Sequence, residues 1–310
     1  MKRLIIYSIL SVAAMCSYGQ SNFNKTEIKS IMKRVADWQI ANPATGAEHD
    51  DLNWTYAALY MGMIDWAELT EKEDGDNQYY NWLLKIGRRN AWQMGKYMYH
   101  ADFIAVGQVF LEMYQKYNDR NMMLPTLART EFVINHPSAS TLELDYRNMA
   151  SLERWSWCDA LFMAPPVYAK MYMLTNDWKY IEFMNREYKA TYDYLFDKEE
   201  ELFYRDHRYF KQKEANGKKV FWGRGNGWVL GGLCEILQTL PRNNMHRQFY
   251  QDLFITLSNR IVRLQGKDGY WHASLLDPDS YPSPETSATG FIVYALAYGA
   301  VSYTHLTLPT

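Results

Sequence analysis

The stretch Trp155-Ser-Trp157-Cys-Asp159-Ala-Leu-Phe-Met163-Ala-Pro165-Pro166 sets one acid beside two indoles, where a loop turns into a strongly apolar helix. A carboxylate on the first turn of a helix that otherwise reads as core faces either the helix's own N-terminus or a cavity. As an N-cap it satisfies orphan N–H groups and does nothing more. Facing a cavity, it is a reactive group with Trp155 and Trp157 as flat apolar walls. Taken alone, the segment leaves these readings level.

The helix it opens, Trp157 to Leu174, is rich in small and apolar residues and poor in charge. Asn53 to Trp66, Asp102 to Tyr117, Gly225 to Leu240 and Thr286 to Val301 share that character. Helices apolar nearly all round belong inside. Between them lie amphipathic, charged stretches: Lys25 to Ile40, Asn77 to Tyr99, Arg120 to Asn135, Trp178 to Phe196 and Met245 to Leu264. These read as an outer layer, so the chain alternates outer, inner, outer, inner. Five such hairpins, spaced at roughly 50–70 residues, imply a repeat in which each unit buries its apolar face on its neighbours. The expected fold is all-α, an (α/α)6 barrel over residues 20–301 whose site lies at the mouth where loops enter the inner helices. One hairpin of six is lacking, because residues 301–310 carry no helical pattern. The barrel is therefore expected to be truncated before its sixth hairpin, with residues 302–310 an unstructured, non-native tail. An open seam would expose apolar faces of the first and fifth units.

With 310 residues and 48% hydrophobic content the chain can bury a large core, and a net charge of −2 with scattered Lys and Arg leaves no footprint for nucleic acid. Eleven Trp and 25 Tyr suit stacking on sugars or planar ligands, although a large helical core absorbs aromatics equally well. Residues 1–19 read as a signal peptide: Lys2 and Arg3, an apolar run from Leu4 to Met15, then Ser17-Tyr18-Gly19 before the cut. Export to the periplasm is expected. Cys158 and Cys234 then remain, each beside an apolar run, and read as buried free thiols. No later apolar run reaches the roughly 18 residues of a membrane span.

Gly223-Arg-Gly-Asn-Gly-Trp228 looks like a phosphate loop, but no βαβ pattern surrounds it and no Walker lysine follows. The glycines instead let backbone pass close to a ligand, with Trp222, Arg224 and Trp228 pointing into the mouth; the alternative is a tight turn with a surface Arg. The histidines have no metal-ligand spacing, and neither metal nor cofactor is expected. His207 and His272 lie in mouth loops. Asp102, in Tyr99-His-Ala-Asp102-Phe-Ile, begins an inner helix as Asp159 does one hairpin later. Two acids converging across a cavity suit glycoside-cleaving chemistry, and two helix caps explain the spacing equally well.

Three motifs together, Trp157-Cys-Asp-Ala-Leu-Phe-Met-Ala-Pro-Pro166, Val220-Phe-Trp-Gly-Arg-Gly-Asn-Gly-Trp228 and Ser274-Leu-Leu-Asp277 through Gly290, resemble glycoside hydrolase family 105, relatives of family 88. The resemblance runs in order from about Ile28 to Val301. It implies an (α/α)6 barrel that removes 4,5-unsaturated uronic acid from the non-reducing end of lyase-generated oligosaccharides of the pectin and rhamnogalacturonan type. It implies Asp159 as proton donor and activator of water, Asp102 as second acid, and Trp157, Trp222, Arg224 and Trp228 as substrate-holding, with His207 as a further substrate contact in a loop where relatives vary. Where relatives have Ala-Asp-Asp-His this chain has Ala101-Asp102-Phe103-Ile104, which removes a charged neighbour from Asp102. The alternatives are another (α/α)6 enzyme, an inverting glycosidase or polysaccharide lyase, or a non-catalytic sugar-binding protein.

Overall fold

The computed structural model describes residues 24–43 and 50–302. Helix α1 (Lys25–Ala41) belongs to a separate compact unit; Asn24 caps it by accepting a hydrogen bond from Thr26 N–H at 3.0 Å. The remaining helices form the second unit.

Inner helices α2 (Trp54–Asp74), α5 (Gly107–Tyr117), α8 (Pro165–Thr175), α10 (Gly223–Thr239) and α12 (Thr286–Ser302) pack side by side in chain order. Outer helices α3 (Gln78–Arg89), α6 (Leu124–Asn135), α9 (Trp178–Leu195) and α11 (Arg247–Val262) each pack on the inner helix that precedes them. Burial follows this division. In α8 an unbroken run from Pro165 to Tyr172 is buried, whereas α9 buries one face through Tyr180, Ile181, Met184, Tyr188, Thr191 and Leu195. Close packing of α10 is set by Gly232, where an added Cβ would lie 2.3 Å from the Leu161 carbonyl oxygen. Cys158 and Cys234 are buried free thiols, as their surroundings in the sequence suggest.

Two inner segments differ from the continuous helices expected. Each begins with a four-residue turn, α4 (Ala101–Ile104) before α5 and α7 (Ala160–Met163) before α8. The second break has a direct cause: Pro165 and Pro166 open α8, supplying no N–H to continue α7. The outer stretch expected to reach Tyr99 ends at Arg89, because Ala91 and Trp92 have φ of 46° and 58°.

One polar residue from each inner helix meets in the ring. Lys170 of α8 pairs with Glu112 of α5 and, at 3.4 Å, with Glu235 of α10; Tyr294 of α12 donates to Glu235 at 2.7 Å. Asp65 of α2 lies within electrostatic reach of Glu112, Lys170 and Glu235. Burial alone would lower the Lys170 ammonium, and the two glutamates more than offset it and hold it above its usual range.

No helix among the described residues is long and apolar enough to cross a membrane. Residues 1–19 and 303–310, with the signal and tail readings that fall on them, lie outside the described residues. Five inner helices are described, and α12 leaves Val293 and Val301 exposed.

Candidate active site

The two acids sit on the two short turns, and neither is used as a cap. Asp159 precedes α7 without any side-chain bond to its N–H groups. At α4 the cap is His100, whose Nδ1 accepts from Asp102 N–H at 3.1 Å. Both carboxylates are thereby free for other work, and their charges interact. Burial, then the charge of Asp159, pushes the Asp102 carboxyl up to about 7, while Arg205 pulls the other way. Burial also drops His100 to about 4, so its ring is neutral at ordinary pH. With Nδ1 accepting, the ring proton is on Nε2. The His100 ring lies 5.0 Å from that of Trp157.

Cys158 fixes the other side. Its N–H donates to the Arg205 carbonyl at 2.9 Å, and its thiol, held protonated by burial and by Asp159, donates to Asp159 Oδ2 at 3.4 Å. Gly225, in the first turn of α10, faces the same spot: a Cβ there would lie 2.9 Å from Cys158 Sγ and 3.9 Å from Asp159 Oδ2. Arg205 carries its charge towards the acids. Burial would lower its guanidinium, but Asp159 and then the bond to Asp206 hold it up. Asp206 is fully buried, takes Arg205 Nη1 at 2.6 Å and both Nε and Nη2 of Arg208, and stays below the usual carboxylate range through those bonds, against its burial.

Two spaces flank this centre. A pocket of about 260 Å³ is lined by Glu214, Trp222, Arg224, Ser274, Tyr281 and Glu285, with the exposed Arg224 guanidinium 5.8 Å from the Trp222 ring centre. A groove of about 930 Å³ runs between residues 139–151 and His207 and Arg208. The pocket's walls are tied together by pairing of the mouth loops, Gly223 N–H to Ala273 O and Leu275 N–H to Phe221 O, each 2.9 Å.

Residues 25–305 match the sequence model of Glycosyl Hydrolase Family 88. The chain belongs to that family. It is 37% identical over 299 residues to an unsaturated 3S-rhamnoglycuronyl hydrolase of Formosa agariphila, covering 93% of this chain and 77% of that protein. A protein of the same name from Alteromonas sp. (strain LOR) is 35% identical, with 88% and 70% covered. Among solved structures, a glycosyl hydrolase family 88 protein from Bacteroides vulgatus superposes with a TM-score of 0.75 at 26% identity, covering 90% of this chain and 82% of that one. One named a polysaccharide lyase gives 0.78 at 28% identity, covering 90% and 78%. The family 105 protein of Clostridium acetobutylicum, at 20% identity and 0.71, shares the fold.

In this family 88 glycoside hydrolase the residues singled out from sequence fall into three groups. Asp102, Asp159 and Trp157 come together, and Trp222 and Arg224 line the small pocket. His207 lines the groove, but its Nδ1 is committed to Leu144 N–H at 3.0 Å, which leaves only Nε2–H for a ligand. Trp228 departs from the expectation. It is 3% exposed among Trp54, Phe162 and Phe291 and belongs to the core beneath the mouth. Trp155 likewise points away from the acid, packing on Tyr168 and Phe183. His272 is tied to Ser283 O within its own loop. The sequence reading passed over Arg205, His100 and Asn226. Asn226 holds the β1–β2 hairpin (Phe196–Asp197, Leu202–Phe203) to α10 by bonding both the N–H and the carbonyl of Phe203. The available signal for Arg205 was Arg-Asp-His-Arg, an acid between two arginines in a mouth loop.

Proposed function

We propose that this hydrolase removes a 4,5-unsaturated uronic acid from the non-reducing end of rhamnose-containing oligosaccharides left by polysaccharide lyases. The reaction is hydration of the vinyl ether. The observation that carries the reading is the pair Asp102 and Asp159, released from capping and coupled in charge, with Asp102 holding a proton near neutral pH. A carboxyl that keeps its proton near neutral pH, with the charge of a second carboxylate acting on it, supplies an acid beside the residue that acts on substrate. The proton passes through Asp159 to C4, and positive charge develops at C5 beside the ring oxygen, where the carboxylate left behind stabilises it. Water adds at C5 and returns a proton to Asp159. The resulting hemiketal opens and frees the next sugar, so the double bond is consumed and no net proton is used.

The substrate brings a third carboxylate to the two acids. Arg224, exposed at the small pocket, offers a fork for it, and Arg205 adds positive charge beside the pair. The names of the Formosa and Alteromonas relatives favour a rhamnoglycuronyl oligosaccharide, whereas a Bacillus subtilis protein named unsaturated rhamnogalacturonyl hydrolase is only 24% identical. Within the rhamnose-containing class expected from sequence, these names favour the rhamnoglycuronyl over the pectin type. Action in the periplasm is part of the proposal and rests on the charged start and apolar run of residues 1–19.

The test is the ultraviolet absorbance of the unsaturated uronate in a lyase-generated rhamnoglycuronyl disaccharide. Loss is expected with the wild type. Asp159→Asn should slow it on the order of 10³-fold while leaving fold and binding intact, and a near-normal rate in that variant removes the mechanism. The structural neighbour named a polysaccharide lyase favours a second reading. A lyase creates this absorbance, so a rise on intact polysaccharide would establish that activity instead.

A further inference from the structure

The 930 Å³ groove, whose Arg208 is tied through Asp206 to Arg205, is not used by the chemistry above, and it is built rather than incidental. Its wall is pinned at several points. Leu144 N–H donates to His207 Nδ1 and Asp145 N–H to Ser151 Oγ, each at 3.0 Å, while the Ser138 hydroxyl donates to Glu153 at 2.7 Å. From this fixed wall Tyr146 presents a ring that is 53% exposed, with the guanidinium of Arg208 4.8 Å and that of Arg205 5.8 Å from its centre. The charges of the lining cancel, Glu143 and Asp145 against Arg147 and Arg208, and each arginine is engaged by an aspartate. What remains for a ligand is an aromatic face, the Thr141 hydroxyl, the side-chain NH2 of Asn148, whose oxygen is taken by Ala150 N–H, and His207 Nε2–H. An exposed ring among uncharged donors and acceptors suits pyranose rings, and the volume lies at the upper end of small-ligand sites. The groove also joins the centre along the chain: Arg205, whose carbonyl accepts from Cys158 N–H, stands three residues before Arg208.

We propose that this groove is a subsite for the leaving oligosaccharide beyond the sugar bonded to the uronate, and that Tyr146 is its stacking platform and the residue that sets preference for chain length. The proposal rests on the hydrolase reading. A disaccharide ends before the groove; a tetrasaccharide from the same polymer reaches into it.

Kinetics on unsaturated di- and tetrasaccharide prepared from one lyase digest test this. Tyr146→Ala should raise KM for the tetrasaccharide about tenfold more than for the disaccharide, the loss typical of an aromatic anchor, because any effect passed on through Arg205 is common to both substrates. Thr141→Trp, which fills the groove from another part of its lining, should do the same without touching Tyr146 or Arg205. An equal effect of both variants on the two substrates, or none on either, overturns the proposal. If the wild type turns over neither substrate, it is the hydrolase reading that fails. The groove is then judged by calorimetry with the tetrasaccharide: weaker binding in both variants supports it, and unchanged or absent binding overturns it.

Discussion

Asp102→Asn should make the protein more stable, and increasingly so as pH rises. In the unfolded chain this carboxyl loses its proton near 3.8; in the folded protein it keeps it to about 7, because burial and the charge of Asp159 oppose ionisation. Between those values the folded state binds the proton and the unfolded state does not. Stability contributed by the protonated group is therefore complete below 3.8 and is lost as pH climbs through 7. Each tenfold change in proton concentration across that window is worth about 1.4 kcal/mol, which sets a ceiling of roughly 4 kcal/mol. Asp102 is half-buried, so solvent screening brings the expectation to about 2–3 kcal/mol. The amide is uncharged at every pH and nearly the same shape. The assay is paired urea unfolding, with melting temperatures alongside, at steps from pH 4 to 8.5. The advantage of the variant should grow by that amount across the range, about 3–5 °C in melting temperature for a chain of this size. An offset that stays constant, or shrinks as pH rises, would refute the coupled pair. Repeating the series in Asp159→Asn should narrow the window, because the charge that helps hold Asp102 up is gone.

Arg205→Gln removes the charge that draws Asp102 down, so the alkaline fall of kcat/KM should move to higher pH; a limb that stays put or moves lower counts against the assignment. Lys170→Met leaves Glu112 and Glu235 buried without a counter-charge and should cost about 3–5 kcal/mol in urea unfolding, and a loss under about 1 kcal/mol would deny the belt its structural weight. Gly225→Ala forces Cys158, and with it Asp159, out of place, so kcat should fall on the order of 10²-fold with the melting temperature little changed. Wild-type kcat in that variant would mean that the approach of α10 to Asp159 is not needed.

The ring was legible because inner and outer helices differ in chemistry all round: α8 buries every residue from Pro165 to Tyr172, and α9 buries one face. Where inner helices break was less so, since the pattern of apolar residues runs straight across Ala164 and Ala105 and only the backbone chemistry of Pro165 marks the first break. At the site, spacing could not separate a capping aspartate from a free one. That depended on His100 taking the cap at α4, which no periodicity reveals. The aromatic residues misled in a regular way. Trp228 lies one helical turn beyond Arg224, yet a side chain one turn deeper leaves the mouth and enters the core among Phe162 and Phe291. Arg205 was hidden because the acid whose charge it faces is distant in sequence; Cys158, next to Asp159, is held to it by the bond from its N–H to the Arg205 carbonyl.

The belt of Asp65, Glu112, Lys170, Glu235 and Tyr294 bears on how far the hairpins of such a ring are interchangeable. If each inner helix needed only apolar contact with its neighbours, a hairpin could be taken from a relative and would settle at whatever height packed best. Here the heights are indexed to one another. Sliding α8 by a single turn, about 5.4 Å, would carry Lys170 past both glutamates and strand three charges in the ring. A transplanted hairpin would therefore have to match the recipient at one polar position as well as in volume. Chimaeras that swap α8 and its loop together with the partners of Lys170 should assemble where single-hairpin swaps do not.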